Sequence, residues 1–349
     1  MFLYETWTAF HPNASAEDIW RLRVATIVLS FTFIAASLLA WRSRNFLVRI
    51  FYTLAVVWLG FLDLFFLAAV ACWIAYAIVY VASVPITQPQ LADAVFGLTA
   101  MSGAYAIINA SWTRVHRVAV KLPDLPAAWR GRIAALVSDT HLGHVRNAGF
   151  MRRIVRMLQR AKPDIVFVTG DMYDGTMVDV DKVAQPWSGF AAPLGTYFVL
   201  GNHEEFTGHE KYVRAVQKVG LRVLDSEKVD IEGLQIVGVH YVDAVNPARF
   251  RAALQRAALD RNRPSILLSH APDHLAIPEE EGVSLQLSGH THGGQFPPFS
   301  WLTYRVYGKY VHGLQRLGKM QVFTNWGAGT WGPPMRLGTQ SEIVLIQFE

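Results

Sequence analysis

Cysteine is nearly absent from this chain of 349 residues: its single thiol, Cys72, sits inside an apolar run. No disulfide can form within the chain, and no thiolate cluster is available for a structural zinc. Charge is scarce as well. Asp, Glu, Lys and Arg make up 17% of the residues while 52% are hydrophobic, a greasier balance than that of an ordinary soluble protein. The formal net charge is +5, yet no Lys/Arg-rich run occurs beyond residue 130, so nucleic acid is not an expected partner. The first 20 residues carry Glu5, Glu17 and Asp18 and no apolar core, which fits a cleavable signal peptide poorly.

The apolar excess is concentrated in residues 24–112. At about 1.5 Å per residue, the charge-free run 24–41 spans roughly 27 Å, close to the thickness of a bilayer core. Residues 91–112 form a second candidate, rich in the small residues that suit close helix packing in lipid. Between them, residues 50–84 are apolar apart from Asp63, too long for one upright crossing and barely long enough for two. Charge bias separates these readings. With three crossings, one side receives Arg42, Arg44, Arg49, Arg114, Arg117 and Lys121, and the other only Arg21 and Arg23; four crossings split them five against three. Three crossings with a long, tilted middle helix is the preferred reading. It makes the chain a multi-pass inner-membrane protein with its catalytic part in the cytoplasm. Asp63 then reads as a helix-end residue near the interface.

The expected organisation is an N-terminal segment (1–20), a helical membrane anchor (21–116), a linker (117–130, with prolines at 123 and 126) and a catalytic domain (131–349). In the last part, strand-like runs fall at 133–137, 165–169, 196–200, 234–239, 266–268, 284–287, 322–324 and 343–348. Helical periodicity falls at 150–160, 210–219 and 249–259. Alternating strands and helices, with less helix between the late strands, predict an α/β fold of two face-packed sheets flanked by helices, an α/β/β/α sandwich.

Polar residues that bind metals stand just after five of these runs. They are Asp139-Thr140-His141, Gly170-Asp171, Gly201-Asn202-His203-Glu204, Ser269-His270 and Gly289-His290-Thr291-His292. Open α/β sheets place their sites at strand C-termini, so loops from separate strands can bring these side chains to one point. Two divalent ions about 3.5–4 Å apart can together activate water and neutralise a phosphoryl group. Such a pair needs a shared ligand, and the two-oxygen carboxylate of Asp171 is the natural bridge. A mixed oxygen and imidazole set suits Mn, Fe or Zn, with Mg also possible.

The five motifs, in this order, resemble the calcineurin-like metallophosphoesterase superfamily over about residues 130–349. The extended 289–295 segment and the tail Gly327, Gly329, Pro334, Arg336 and Glu342 resemble a bacterial, often membrane-anchored branch. The resemblance implies that Asp139, His141, Asp171 and His292 bind one metal and that Asn202, His270 and His290 bind the second, with Asp171 shared. It makes His203 a general acid or transition-state stabiliser. Arg336 is a candidate phosphate ligand, and Glu204 could orient a ligand or form a salt bridge. His144, Arg146 and His209 read as exposed loop residues, and His240 as a packed core histidine. The branch includes enzymes that cleave UDP-2,3-diacylglucosamine in lipid A synthesis, so a lipid or small phosphate-containing substrate and two divalent ions, manganese first, are expected. Soluble or cell-wall phosphodiesters, and a non-catalytic membrane sensor, are the alternatives.

Overall fold

The computed structural model describes residues 1–206 and 208–349. The chain divides into two compact units, Met1–Ser111 with Gly332–Leu337, and Trp112–Trp331 with Gly338–Glu349.

The first unit is helical: α1 (Phe2–Phe10), α2 (Ala16–Ala40), α3 (Phe46–Val81) and α4 (Gln88–Ser111). Two of the N-termini are capped by short polar side chains. Ser15 Oγ accepts from the Asp18 amide, and Asn45 Oδ1 from the Leu47 amide at 2.8 Å. Helices α2, α3 and α4 are long and apolar enough to cross a membrane, with mean hydropathy of 2.0, 2.4 and 1.5. They bury only a minor part of that apolar surface within the unit; α2 buries only Ala36 and Ala40. A helix that is apolar and outward-facing needs lipid around it.

The long middle run is one unbroken helix, and Gly60 lies inside it. The propensity cost of one glycine, about 1 kcal/mol, does not stop a helix of this length when no Pro follows. At about 1.5 Å per residue α3 is about 54 Å long, which requires tilt or projection beyond a bilayer core. Asp63 is not at a helix end. It lies midway along α3, partly buried.

Among the described residues, the second unit contains twelve strands. They are β1 (Arg114–Val120), β2 (Ile133–Val137), β3 (Ile165–Thr169), β4 (Thr196–Val199), β5 (Arg222–Val223), β6 (Glu227–Ile231), β7 (Leu234–Gly238), β8 (Ser265–Leu268), β9 (Leu285–Ser288), β10 (Gly313–Leu317), β11 (Met320–Thr324) and β12 (Glu342–Phe348). Its α-helices are α5 (Ala148–Ala161), α6 (Val180–Ala184), α7 (Asn202–Glu205), α8 (Glu210–Lys218), α9 (Tyr241–Ala244), α10 (Pro247–Ala257), α11 (Ala276–Glu280) and α12 (Phe299–Tyr307). One sheet runs β1-β12-β2-β3-β4-β5 and the other β10-β11-β9-β8-β7-β6. Strands β2 to β5 are mutually parallel, as are β7, β8, β9 and β11.

Period-2 alternation sets the layers. Ala134, Leu136, Phe167, Val344 and Ile346 meet Ile236, Ile266, Leu268, Leu285 and Leu287 in the core between the sheets. The opposite faces, through Ala135, Val137, Val166, Val168 and Leu345, pack on α5 and α8. Helix α5 forms because Asn147 caps it through the Gly149 amide (2.7 Å) and Phe150, Met151, Ile154, Val155 and Leu158 make one apolar face; it stops at Lys162, which is left-handed. On the far side, Phe250, Ala253 and Leu254 of α10 cover Val237, Leu267 and Val322. The result is the α/β/β/α sandwich.

Two boundaries differ from expectation. The residues read as the start of a linker are the second half of β1, which pairs in parallel with the C-terminal β12 from Arg114↔Glu342 to Val120↔Phe348. Its alternating half-buried and exposed side chains, Arg-Val-His-Arg-Val-Ala-Val, are those of an edge strand. The tail segment Gly332–Leu337 groups with the helical unit, where the Arg336 amide donates to Ala106 O at 3.0 Å and Asn109 Nδ2 to Arg336 O at 2.8 Å.

Candidate metal centre

Every donor loop begins at the C-terminal end of a parallel strand. Asp139 and His141 follow β2, Asp171 follows β3, and Asn202 with His203 follows β4. His270 follows β8, and His290 with His292 follows β9. Because β2-β3-β4 and β8-β9 are neighbours within their sheets, five loops distant in sequence meet at one end of the sandwich.

The loops approach so closely that side chains are excluded between them. A Cβ at Gly201 would overlap Asp171 Oδ1, and one at Gly289 would overlap Asp139 Oδ2. Asp139, His141, Asp171, His290 and His292 have φ between 45° and 69°, the left-handed region that most residues avoid. Strain of this kind costs on the order of 1–3 kcal/mol per residue and persists where the surroundings over-determine it.

Two groups of donors result. In one, His270 donates from Nδ1 to Thr169 O at 2.7 Å. That bond fixes the tautomer and leaves Nε2 as a lone pair. Nε2 lies 3.2 Å from Asp171 Oδ2, 3.0 Å from Asn202 Oδ1 and 3.0 Å from His290 Nδ1. In the other, His141 Nε2 and His292 Nε2 lie 2.9 Å apart, with Asp139 Oδ1 at 4.0 and 3.5 Å from them. Asp171 Oδ2 stands between the groups, 3.8 Å from His141 Nε2 and 3.9 Å from His203 Nε2. Buried lone pairs that converge without a donor between them repel unless a cation sits among them, and oxygen with imidazole is the ligand chemistry of divalent metals. The residues therefore fit a binuclear metal site.

A proton takes that role when no metal does. Burial opposes charge on His270, but the Asp171 carboxylate beside it pushes the imidazole up to about 10. Burial also works against the Asp171 charge; the His270 cation and its hydrogen bond outweigh it and hold that carboxyl well below the usual range. Burial and then His270 lower His290 to about 4, and burial raises Asp139 to about 7.

His203 sits beside the groups with a different attachment. Its Nδ1 donates to Asp174 O at 3.0 Å, so Nε2 faces the cluster. Phe206 and Trp331 pack near its ring, with centroids at 4.6 and 6.1 Å. Glu204 makes no salt bridge among the described residues. It is fully buried and accepts from the amides of Asp171 (2.9 Å), Gly201 (2.8 Å) and Tyr173 (3.0 Å).

Other residues fall differently from expectation. Asp174 faces His141 Nδ1 at 3.7 Å, and burial with the Asp171 charge lifts its carboxyl to about 8. His144 and Arg146 are buried, not exposed, in a tight turn that the Gly143 amide closes onto Arg146 O. His144 Nδ1 pairs with Thr176 Oγ1 at 3.2 Å, and the Arg146 guanidinium lies 4.8 Å over Phe150. Arg336 is fully buried in the segment that groups with the helical unit. Glu205, His209 and His240 form a further cluster, but His240 Nδ1 accepts from the Val242 amide at 3.2 Å. That bond leaves the ring proton on Nε2, 3.4 Å from Glu205 Oε1, which suits a packed core histidine and not a ligand. The role of Glu204 had no readable signal beyond its place three residues after Gly201.

Comparison with known proteins follows the same lines. A family profile described as Calcineurin-like phosphoesterase matches residues 134–294. An uncharacterised metallophosphoesterase of Aquifex aeolicus is 33% identical over 258 residues, covering 72% of this chain and 98% of that protein. One from Campylobacter jejuni is 31% identical over 251 residues, covering 70% of this chain and 66% of that protein. A zebrafish (Danio rerio) "transmembrane protein with metallophosphoesterase domain" is 29% identical over 266 residues, covering 71% of this chain and 60% of that protein. The chain spans under two thirds of the length of the Campylobacter jejuni relative and of its Helicobacter pylori counterparts, 66% and 58%.

Proposed function

Since this chain belongs to the calcineurin-like phosphoesterase family, we infer that it hydrolyses a phosphodiester or pyrophosphate bond beside a membrane, and that its substrate is a lipid-linked nucleotide such as UDP-2,3-diacylglucosamine. The single observation that carries the hydrolytic reading is the position of Asp171 Oδ2, within 4 Å of His141, His203 and His270. Asp139, His141 and His292 would hold one divalent ion, and Asn202, His270 and His290 the other, with Asp171 shared. Manganese is the first choice for this donor set. Bound there, the pair supplies Lewis-acid activation of water and positive charge for the phosphoryl oxygens.

The protein supplies the rest. Asp171 and the five loops fix the approach of the phosphoryl group. His203, anchored through Nδ1, presents Nε2 where a proton can pass to the leaving-group oxygen. Glu204 holds the three amides that orient Asp171. The lipid-borne substrate is supported by the three apolar helices, and the cytoplasmic side by the excess of arginine flanking them.

The test is hydrolysis by the detergent-solubilised full chain with manganese, comparing UDP-2,3-diacylglucosamine, phospholipids and cyclic nucleotides. Release of UMP from the first at a rate well above the others is the expected result. Turnover confined to cyclic nucleotides would remove the lipid reading.

A further inference from the structure

Helix α12 (Phe299–Tyr307) is built inside out. A surface helix of a globular protein turns its apolar stripe inward. Here the partly buried positions are Ser300, Thr303 and Tyr307, spaced i, i+3, i+7 on one face. Trp301, Leu302, Tyr304 and Val306 are 63%, 58%, 62% and 72% exposed, and no residue of the helix is buried. Leaving such side chains in water costs roughly 25 cal/mol per Å² that a covering surface would recover.

Charge indicates what covers them. From Gly282 to Ser341 the chain contains no Asp or Glu. Arg305, Lys309 and Arg316, in and just after α12, are exposed, and none of them forms a salt bridge among the described residues. The acids that reach this segment come from outside it: Glu342 pairs with His312 at 3.0 Å, Asp273 acts on Tyr307, and Glu279 accepts from the Lys319 amide. Lys309 Nζ donates to Arg316 O at 3.2 Å, which leaves its charge without an acid; tryptophan, tyrosine and aliphatic residues interleaved with cations that meet no carboxylate match the headgroup region of an anionic leaflet.

The helix is also coupled to the metal centre. It follows the His292–Gly294 turn, and Gly294, with φ of 68°, has no room for a Cβ against Phe299 main chain. Gln295 exchanges hydrogen bonds with the main chain of Trp331, at 2.9 and 2.8 Å, and Trp331 is 58% exposed with its ring near His203. We propose that α12 is an interfacial helix that seats on the anionic phospholipid surface of the membrane this chain spans, and so turns the centre toward phosphoesters carried by lipid. The second half of this statement rests on the hydrolase reading; the first does not.

The experiment uses the full chain in nanodiscs of phosphatidylcholine alone or mixed with phosphatidylglycerol. An environment-sensitive fluorophore is attached at Leu302→Cys in a Cys72→Ala background, with Gln217→Cys on α8 as the water-facing control. Expected is a blue shift and quenching by nitroxide lipid at position 302 in the anionic discs, lost in Arg305→Glu/Lys309→Glu and absent at 217. A water-like spectrum at 302 in both lipids overturns the proposal, as does a shift that tracks protein concentration in neutral discs, which would mark a second copy as the occupant. In parallel, Trp301→Ser/Leu302→Ser should lose about tenfold in kcat/KM on a bilayer-borne phosphoester while keeping turnover of a soluble aryl phosphodiester. Equal loss on both overturns the substrate half. A wild-type chain inert on every phosphoester would sink the hydrolase reading and leave the spectroscopic result standing.

Discussion

The side chain of Glu204 holds the main chain of Asp171: its Oε2 accepts the Asp171 amide at 2.9 Å, and the same carboxylate takes the Gly201 and Tyr173 amides. Three N–H donors on one buried carboxylate join two donor loops into a single unit. Glu204→Gln places an NH2 against at least one of those donors. The expected cost is about 1–3 kcal/mol. Differential scanning calorimetry should report a lowered Tm together with weaker metal binding; an unchanged Tm would mean the network carries no energy.

Asp171→Asn should reduce hydrolysis of an aryl phosphodiester by on the order of 10²-fold or more, since one oxygen able to serve both groups becomes an amide nitrogen. Circular dichroism should be unchanged, and bound metal measured by mass spectrometry should fall. Wild-type turnover in the purified variant would refute the shared position.

For His203→Ala the expected loss is about 10²–10⁴-fold in kcat with metal content retained. The loss should be larger for an alkyl leaving group, which needs a proton, than for a nitrophenolate, which does not. A uniform loss across leaving groups would assign the ring to positioning alone.

Metal uptake should release protons. Burial keeps the Asp139 carboxyl at about 7 and the Asp171 charge keeps His270 at about 10, so a cation entering at neutral pH must displace protons. Groups whose metal-free pKa is raised lose affinity as pH falls through that value, here through about 7 for Asp139. Calorimetric titration with manganese in buffers of different ionisation enthalpy should show net proton release, and about a tenfold weaker Kd per pH unit for each proton displaced. Identical Kd at about pH 6 and about pH 8 would contradict the assignment.

Gly201→Ala adds one methyl group where Asp171 Oδ1 already lies. Overpacking of this kind costs about 1–3 kcal/mol. Because the displaced group is Asp171, activity should fall more than stability, as read by kcat/KM beside urea denaturation.

Much of the site was legible because chemistry restricts which residues can do this work. Asp, Asn and His after strand runs marked the side chains that the structure gathers at one end of the sandwich, and the alternating runs declared the sandwich itself. What stayed hidden depended on partners far away in sequence. Strand β1 looked like the end of an anchor because its partner β12 lies more than 200 residues on, and a single half-buried strand beside prolines resembles a linker. The tail Gly332–Leu337 gave no local sign that its main chain bonds to α4. Arg146 reads as a loop cation until Phe150 is seen beneath it. Asp63 was placed by its polarity, whereas its helix continues for a further eighteen residues to Val81.

The left-handed main chain at Asp139, His141, Asp171, His290 and His292 limits what can replace them. Asp, Asn and His tolerate that conformation far better than β-branched or bulky residues. The vocabulary of this centre is thus written by its turns as much as by the chemistry proposed for it. A glutamate at 139 or 171 would keep the carboxylate and forfeit the bend, so an evolutionary exchange of one ligand type for another would have to rebuild the loop first.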